Sequence, residues 1–113
     1  MIYKLLTRDQ WAALVRDGVF AGSADDRRDG YIHLSALDQV AGTLAKYFAD
    51  IDGVVLAEVE PARCGAALRW EPSRGGALFP HLYASLPMDL ITRHWWLARG
   101  ADGAYCLPDD LCA

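Results

Sequence analysis

No stretch of this chain stays apolar for the roughly 18 residues that a membrane-spanning helix needs. The N-terminus, Met1-Ile2-Tyr3-Lys4, lacks the basic stretch and small-residue cleavage site of a secretion signal. A cytoplasmic protein without a membrane partner is the expectation. Cysteine is scarce: Cys64, Cys106 and Cys112 are odd in number, widely spaced and form no CxxC. That argues against both a disulfide framework and a structural zinc site, although Cys106 and Cys112 could pair on oxidation. Positive charge is also short. A net charge of −4 argues against a nucleic-acid surface, which carries a basic stripe. Neither GxGxxG nor GxxxxGK[ST] occurs, so dinucleotide-fold and P-loop fingerprints are missing. HExxH and GxSxG are missing as well. His33, His81 and His94 give a metal site only weak support.

What is present is a globular composition. The 113 residues are 53% apolar and 23% charged, enough for one self-sufficient core. Lysine is nearly replaced by arginine: Arg27, Arg28, Arg63, Arg69, Arg74 and Arg93 stand against Lys4 and Lys46. Planar guanidinium groups suit phosphate or carboxylate recognition. A GC-rich genome gives the same bias.

Residues 2–6 read as a strand. Thr7 and Gln10 form a capping-box pattern that opens a helix with Trp11, Leu14 and Val15 on one face, closed by Gly18. Residues 21–30 read as a polar loop. Residues 31–34 predict a short strand. Ser35 then predicts the cap of a main helix, with Asp38 in its first turn and Leu37, Val40, Ala41, Leu44, Ala45 and Phe48 along its buried face. Val54 to Glu60 predicts a strand, with both faces partly covered at the continuous apolar positions Val54, Val55 and Leu56 and with Glu58 and Glu60 on the face of Leu56, and Pro61 stops it. Shorter extended segments follow at 68–71 and 79–83, then a strand at 90–97. Too few crossover helices remain for a parallel sheet, so the fold class is α+β. Residues 1–98 form the expected domain, and residues 99–113 read as a loosely held tail.

Five polar side chains sit where apolar runs meet loops: His33, Ser35, Glu71, His81 and Tyr83. A sheet makes such positions rigid and its loops make them accessible. His33 and Ser35 share a strand face, and a helix starting at Ser35 would add free backbone N–H groups for an anion. Glu71 could orient a hydroxyl or act as a base, or simply pair with Arg69 or Arg74. His81 and Tyr83 flank Leu82 on one face and could clamp a polar ring or phosphate. Arg28, in the mixed-charge loop with Asp25, Asp26 and Arg27, is a candidate anion contact beside an ordinary solvated role. Trp70 reads as core, and His94 beside Trp95 and Trp96 as structural.

The segments Ile2-Tyr3-Lys4, Gly22-Ser23, Asp29-Gly30-Tyr31-Ile32-His33-Leu34-Ser35, Arg69-Trp70-Glu71 and Phe79-Pro80-His81-Leu82-Tyr83 together resemble the DUF952 family, whose function is unknown. The resemblance covers about residues 2–97. That family is similar in fold to the ADP-ribosyltransferase group, including the RNA 2′-phosphotransferases. The resemblance therefore implies a small, split, bent β-sheet core with two N-terminal helices and a nucleotide cleft. It implies catalytic roles for His33, Glu71 and His81, and ligand contacts for Lys4, Arg28, Ser35 and Tyr83. Lys4 is the basic residue in the strand where that group typically carries His or Arg. NAD is the candidate cofactor the resemblance supplies. Some members of the family carry a glutathione S-transferase-like label, for which this chain is too short. The expectation is a cleft for a nucleotide or phosphorylated small molecule, with ADP-ribosyl or phosphoryl-group chemistry. The alternatives are a non-catalytic small-ligand module and a protein-interaction domain using Trp95, Trp96 and the tail.

Overall fold

The computed structural model describes residues 1–112. Strand β1 (Ile2–Thr7) runs into helix α1 (Arg8–Asp17). The Thr7–Gln10 capping box forms as the sequence predicts, and Gly18 closes the helix at φ 73°. Trp11 and Leu14 are buried, but Val15 faces solvent. After β2 (Val19–Phe20), the stretch read as a polar loop contains a second helix, α2 (Ala24–Asp29). Ser23 caps it, Asp26 returns the bond to the Ser23 N–H, and Gly30 ends it at φ 87°.

Strands β3 (Ile32–His33) and β4 (Ser35–Ala36) lead into α3 (Leu37–Tyr47). Ser35 is not the cap of α3. It belongs to β4, and Ala36 holds the cap position, where the Gln39 side chain accepts its N–H. The buried face of α3 is narrower than the periodicity suggests. Val40 and Leu44 are buried and Phe48 half-buried, while Leu37, Ala41 and Ala45 are exposed. β5 (Val54–Val59), β6 (Leu68–Pro72), β7 (Leu78–Leu82), β8 (Leu86–Pro87) and β9 (Ile91–Trp96) follow. β10 (Ala98–Arg99), β11 (Tyr105–Cys106) and α4 (Asp109–Cys112) complete the chain.

The fold is mixed α+β with open, unclosed sheets. A four-stranded sheet has the order β4-β1-β5-β9, and a three-stranded sheet the order β3-β7-β6. Two-stranded ladders pair β2 with β8 and β10 with β11. All these pairings are antiparallel. Three helices, not two, fall in the N-terminal half.

The four-stranded sheet is covered on both faces, which explains the continuous apolar run in β5: all six of its residues are buried. Ile2, Leu6, Val55, Ala57 and Val59 join Trp11, Leu14, Phe20, Ile32, Leu34, Leu82 and Leu86 in one core. Tyr3, Leu5, Val54 and Leu56 join Val40 and Leu44 in the other. Residues beyond 98 contribute to that second core through Tyr105, Leu107 and Leu111. Arg99 binds the carbonyls of Ala49 and Ile51. Cys64 and Cys106 are free thiols, and the Cys112 side chain that an oxidative Cys106–Cys112 pairing would need lies outside those described. No helix among the described residues is long and apolar enough to cross a membrane.

Candidate functional site

The antiparallel register places His33 of β3 opposite His81 of β7, and His81 opposite Arg69 of β6. The two imidazole centroids are 5.7 Å apart. A cleft of about 470 Å³ opens beside them, a volume suited to a small organic ligand. Its wall includes Lys4 from β1, Arg28 from α2, and His33, Ser35 and His81 from the strands. Residues separated by more than 70 positions thus meet because β1, β3 and β7 converge there. Tyr47, Phe48 and Phe79 give the cleft an apolar side.

Among the described residues, every buried side-chain nitrogen and oxygen but one has a hydrogen-bond partner. His33 Nδ1 lies 2.6 Å from Asp26 Oδ1, and its Nε2 lies 2.9 Å from Asp29 Oδ2. The His33 backbone N–H also donates to Asp26, at 3.1 Å. Lys4 Nζ donates to Asp26 Oδ2 at 3.0 Å and to the His33 carbonyl at 2.9 Å. Burial alone would raise the Asp26 pKa. Bonds from His33, Lys4 and Ser23 outweigh it and hold the carboxyl well below the ordinary carboxylate range. Burial pulls the Lys4 ammonium down, and Asp26 offsets part of that. Arg28 is exposed and pairs with Asp25 and Asp29. Ser35 Oγ lies 3.3 Å from Thr43 Oγ1.

The second histidine is built differently. His81 is buried, and its Nδ1 lies 2.8 Å from Glu71 Oε1. Glu71 also accepts the Tyr83 hydroxyl, at 2.7 Å. Tyr83 and then His81 lower the Glu71 pKa by hydrogen bonding, so the carboxylate is ionised and accepts. That assigns a hydrogen to His81 Nδ1, so that in the neutral tautomer Nε2 is the lone-pair nitrogen. Nε2 is the exception: buried, and without a hydrogen-bond partner among the described residues. The Tyr31 ring stacks on His81 at 4.0 Å and tilts against His33 at 4.7 Å.

Five of the seven anticipated residues therefore line one cleft: Lys4, Arg28, His33, Ser35 and His81. Glu71 and Tyr83 stand behind His81 and do not line it. Glu71 bonds His81 and Tyr83, and Arg69 instead lies over the Tyr83 ring at 5.0 Å. Trp70, read as core, is exposed because β6 is the edge strand of its sheet. His94 packs tilted against Trp11, with centroids 4.4 Å apart.

Sequence reasoning missed Asp26, Asp29 and Tyr31. The signal for Asp26 was present in two places. Ser23-x-x-Asp26 is a helix-opening pattern, and Lys4 sits in an otherwise apolar strand, which demands a buried counter-charge. No group of three or more His, Cys, Asp or Glu among the described residues is placed to hold a metal ion.

Fold and site together define a small α+β domain with a ligand-sized cleft and two histidine–carboxylate pairs. The chain belongs to the family described as a protein of unknown function (DUF952), whose sequence model matches residues 5–94. It is also similar to protein CC0527 from Caulobacter crescentus. Their identity is 47%, the alignment covers 99% of this chain and 98% of that one, and the TM-score to the crystal structure is 0.92. A double mutant of CC0527 matches with the same values. The solution NMR structure of CC0527 gives 48% identity and a TM-score of 0.79, covering 91% of this chain and 89% of that chain. No curated protein sequence matches significantly.

Proposed function

We propose that the cleft binds a nucleotide or another phosphorylated small molecule, and that His81, backed by Glu71, is its acid–base group. The observation supporting this is the bare Nε2 of His81. A buried nitrogen without a partner is costly unless a ligand group completes its bonding. A carboxylate behind an imidazole fixes its tautomer and favours its protonated form during proton transfer. The chemistry that fits is ADP-ribosyl or phosphoryl-group transfer, in which a hydroxyl or water loses its proton to Nε2. Lys4, Arg28 and Ser35 offer polar contacts around it, and Tyr31, Tyr47 and Phe79 offer ring surfaces. The ADP-ribosyltransferase-like fold that the family resemblance implies makes NAD the first ligand to test.

A second reading has its own support. Carboxylates already occupy Lys4, Arg28 and both nitrogens of His33. Such a site binds without reacting more readily than one with free donors, which describes a small-ligand module. The protein-interaction alternative has less support. Trp96 is exposed, but Trp95 packs against the second core.

Titration calorimetry with NAD and with ADP-ribose, followed by chromatographic detection of products, tests these readings. Saturable binding is expected, weakened about tenfold by His81→Gln, the scale of one lost hydrogen bond. Product formation assigns an enzyme, and binding without product assigns the module. No saturable binding of either compound, or unchanged affinity in His81→Gln, overturns the proposal.

A further inference from the structure

Helix α2 is attached to the rest of the molecule in an unusual way. Its sequence, Ala24-Asp25-Asp26-Arg27-Arg28-Asp29, contains no large apolar side chain, and its one buried residue is an aspartate. Ordinary surface helices are held down by an apolar stripe. Here Asp26 takes that place, bonded to Lys4 of β1 and to the backbone and ring of His33. Asp29 adds the outer contact to His33.

The segment also has fixed points on both sides. β2 is anchored by pairing with β8, and β3 by pairing with β7. Between them lie Gly22 at φ 117° and Gly30 at φ 87°, backbone conformations that other residues rarely adopt. Ser23, Ala24, Asp25, Asp26, Arg28 and Asp29 all line the cleft. A short helix with two glycine joints therefore forms one wall of the site and is held by polar contacts.

We infer that α2 is a hinged lid over the cleft, latched by Asp26 on Lys4 and His33, and that ligand exchanges through its opening. Its role in ligand passage rests on the proposed binding function; its opening does not. When the lid lifts, Asp26 and Lys4 both gain water, so the loss of their mutual contact is partly offset by hydration. A hydrophobic attachment has no such offset. The open state is therefore reachable without unfolding the two cores.

Native-state hydrogen exchange tests the lid in the intact protein. The Arg27, Gly30 and Tyr31 amides donate to Ser23 and Asp26 carbonyls within the segment. They are expected to exchange at least ~100-fold faster than β5 amides and with little dependence on dilute urea, the signature of local opening. Asp26→Asn should accelerate them by about another tenfold and leave β5 unchanged relative to global stability. Asp29→Asn is the milder variant if Asp26→Asn does not fold, and should act in the same direction. Saturating ADP-ribose should slow the same amides. Exchange of the α2 amides together with β5, at the same urea slope, overturns the lid. So does either variant shifting both regions equally, or bound ADP-ribose leaving α2 exchange unchanged. If ADP-ribose does not bind, the proposed function fails, and exchange in the free protein still decides whether the lid opens.

Discussion

The sheet formed by β1 and β5 and the wall formed by α2, β3 and β7 solve the same problem by opposite means. Between β1 and β5, Leu6, Val54, Val55, Leu56 and Val59 are completely or almost completely excluded from water. Apart from the Tyr3 hydroxyl, which donates to Glu58 at 3.2 Å, the two strands meet through the ladder and through apolar burial, each large aliphatic side chain contributing about 1.5–3 kcal/mol. The cleft wall is instead organised around an ion pair and two histidines, where the position of every proton matters. An apolar core tolerates small shifts and gives stability. A polar cluster gives fixed orientation and pays for it in desolvation.

The largest expected effect sharpens this contrast. Replacing Lys4 with Met leaves the buried Asp26 carboxylate without its cation, held by His33 and the Ser23 N–H, and should cost about 3–5 kcal/mol, the usual scale for breaking a buried pair from one side. Urea denaturation measures it. The double replacement Lys4→Met with Asp26→Leu should recover much of that loss. A double variant as unstable as Lys4→Met would mean that the pair itself, and not the stranded charge, carries the stability. On the sheet side, Leu56→Ala should cost about 2–5 kcal/mol through lost burial and a residual cavity. It should leave ligand affinity at the cleft unchanged, and a large affinity loss would show that the two regions are not separable.

The two regions also differ in how far they could be read from the sequence. Apolar periodicity is a local signal, so β1, α1, β5 and β9 were all legible, including cover on both faces of β5 at Val54, Val55 and Leu56. The capping box at Thr7 was legible because both of its members lie within one turn. Helix α2 was not, because its stabilisation comes from Asp26 meeting Lys4, which lies 22 positions earlier in the chain. A run of five charges and an alanine reads as solvent-exposed loop until that partner is known. Ser35 was misread for a related reason. A serine before an apolar helical run is a strong cap signal, but pairing of Tyr3 with Ser35 draws it into the sheet and moves the cap to Ala36. Of the residues lining the cleft, Lys4, Arg28, His33, Ser35 and His81 were singled out in the sequence, and Asp26, Asp29 and Tyr31 were not. The sequence pointed to His33 and His81 but could not show that one is enclosed by carboxylates and the other left with a bare nitrogen.

Acidification should separate the regions without any change in packing. The folded-state pKa of Asp26 lies below its ordinary value of 3.8. At that site the unfolded chain therefore binds more protons than the folded one near and below this pH. The stabilisation is fully present above 3.8 and is lost as pH falls from there towards the folded value. Urea midpoints measured from about pH 6 down to about pH 3 should therefore fall more steeply in the wild type than in Asp26→Asn. Parallel curves would show that Asp26 is not held ionised by its neighbours.

The smallest change in stability is expected at Glu71, which is partly exposed, and it bears most directly on chemistry. Glu71→Gln keeps the shape of the side chain and a hydrogen-bonding oxygen for His81, but removes the charge that selects the Nδ1–H tautomer. The melting temperature should barely move. The two ¹⁵N shifts of the His81 ring should change from those of one dominant tautomer towards those of a mixture, because the amide can present either its oxygen or its NH₂ group. In the wild type, Nε2 should carry the shift of an unprotonated nitrogen when the ring is neutral. If instead Nε2 bears the hydrogen there, Glu71 does not set the tautomer. His81 then faces the cleft as a donor, and the acid–base role assigned to its bare nitrogen has no physical basis.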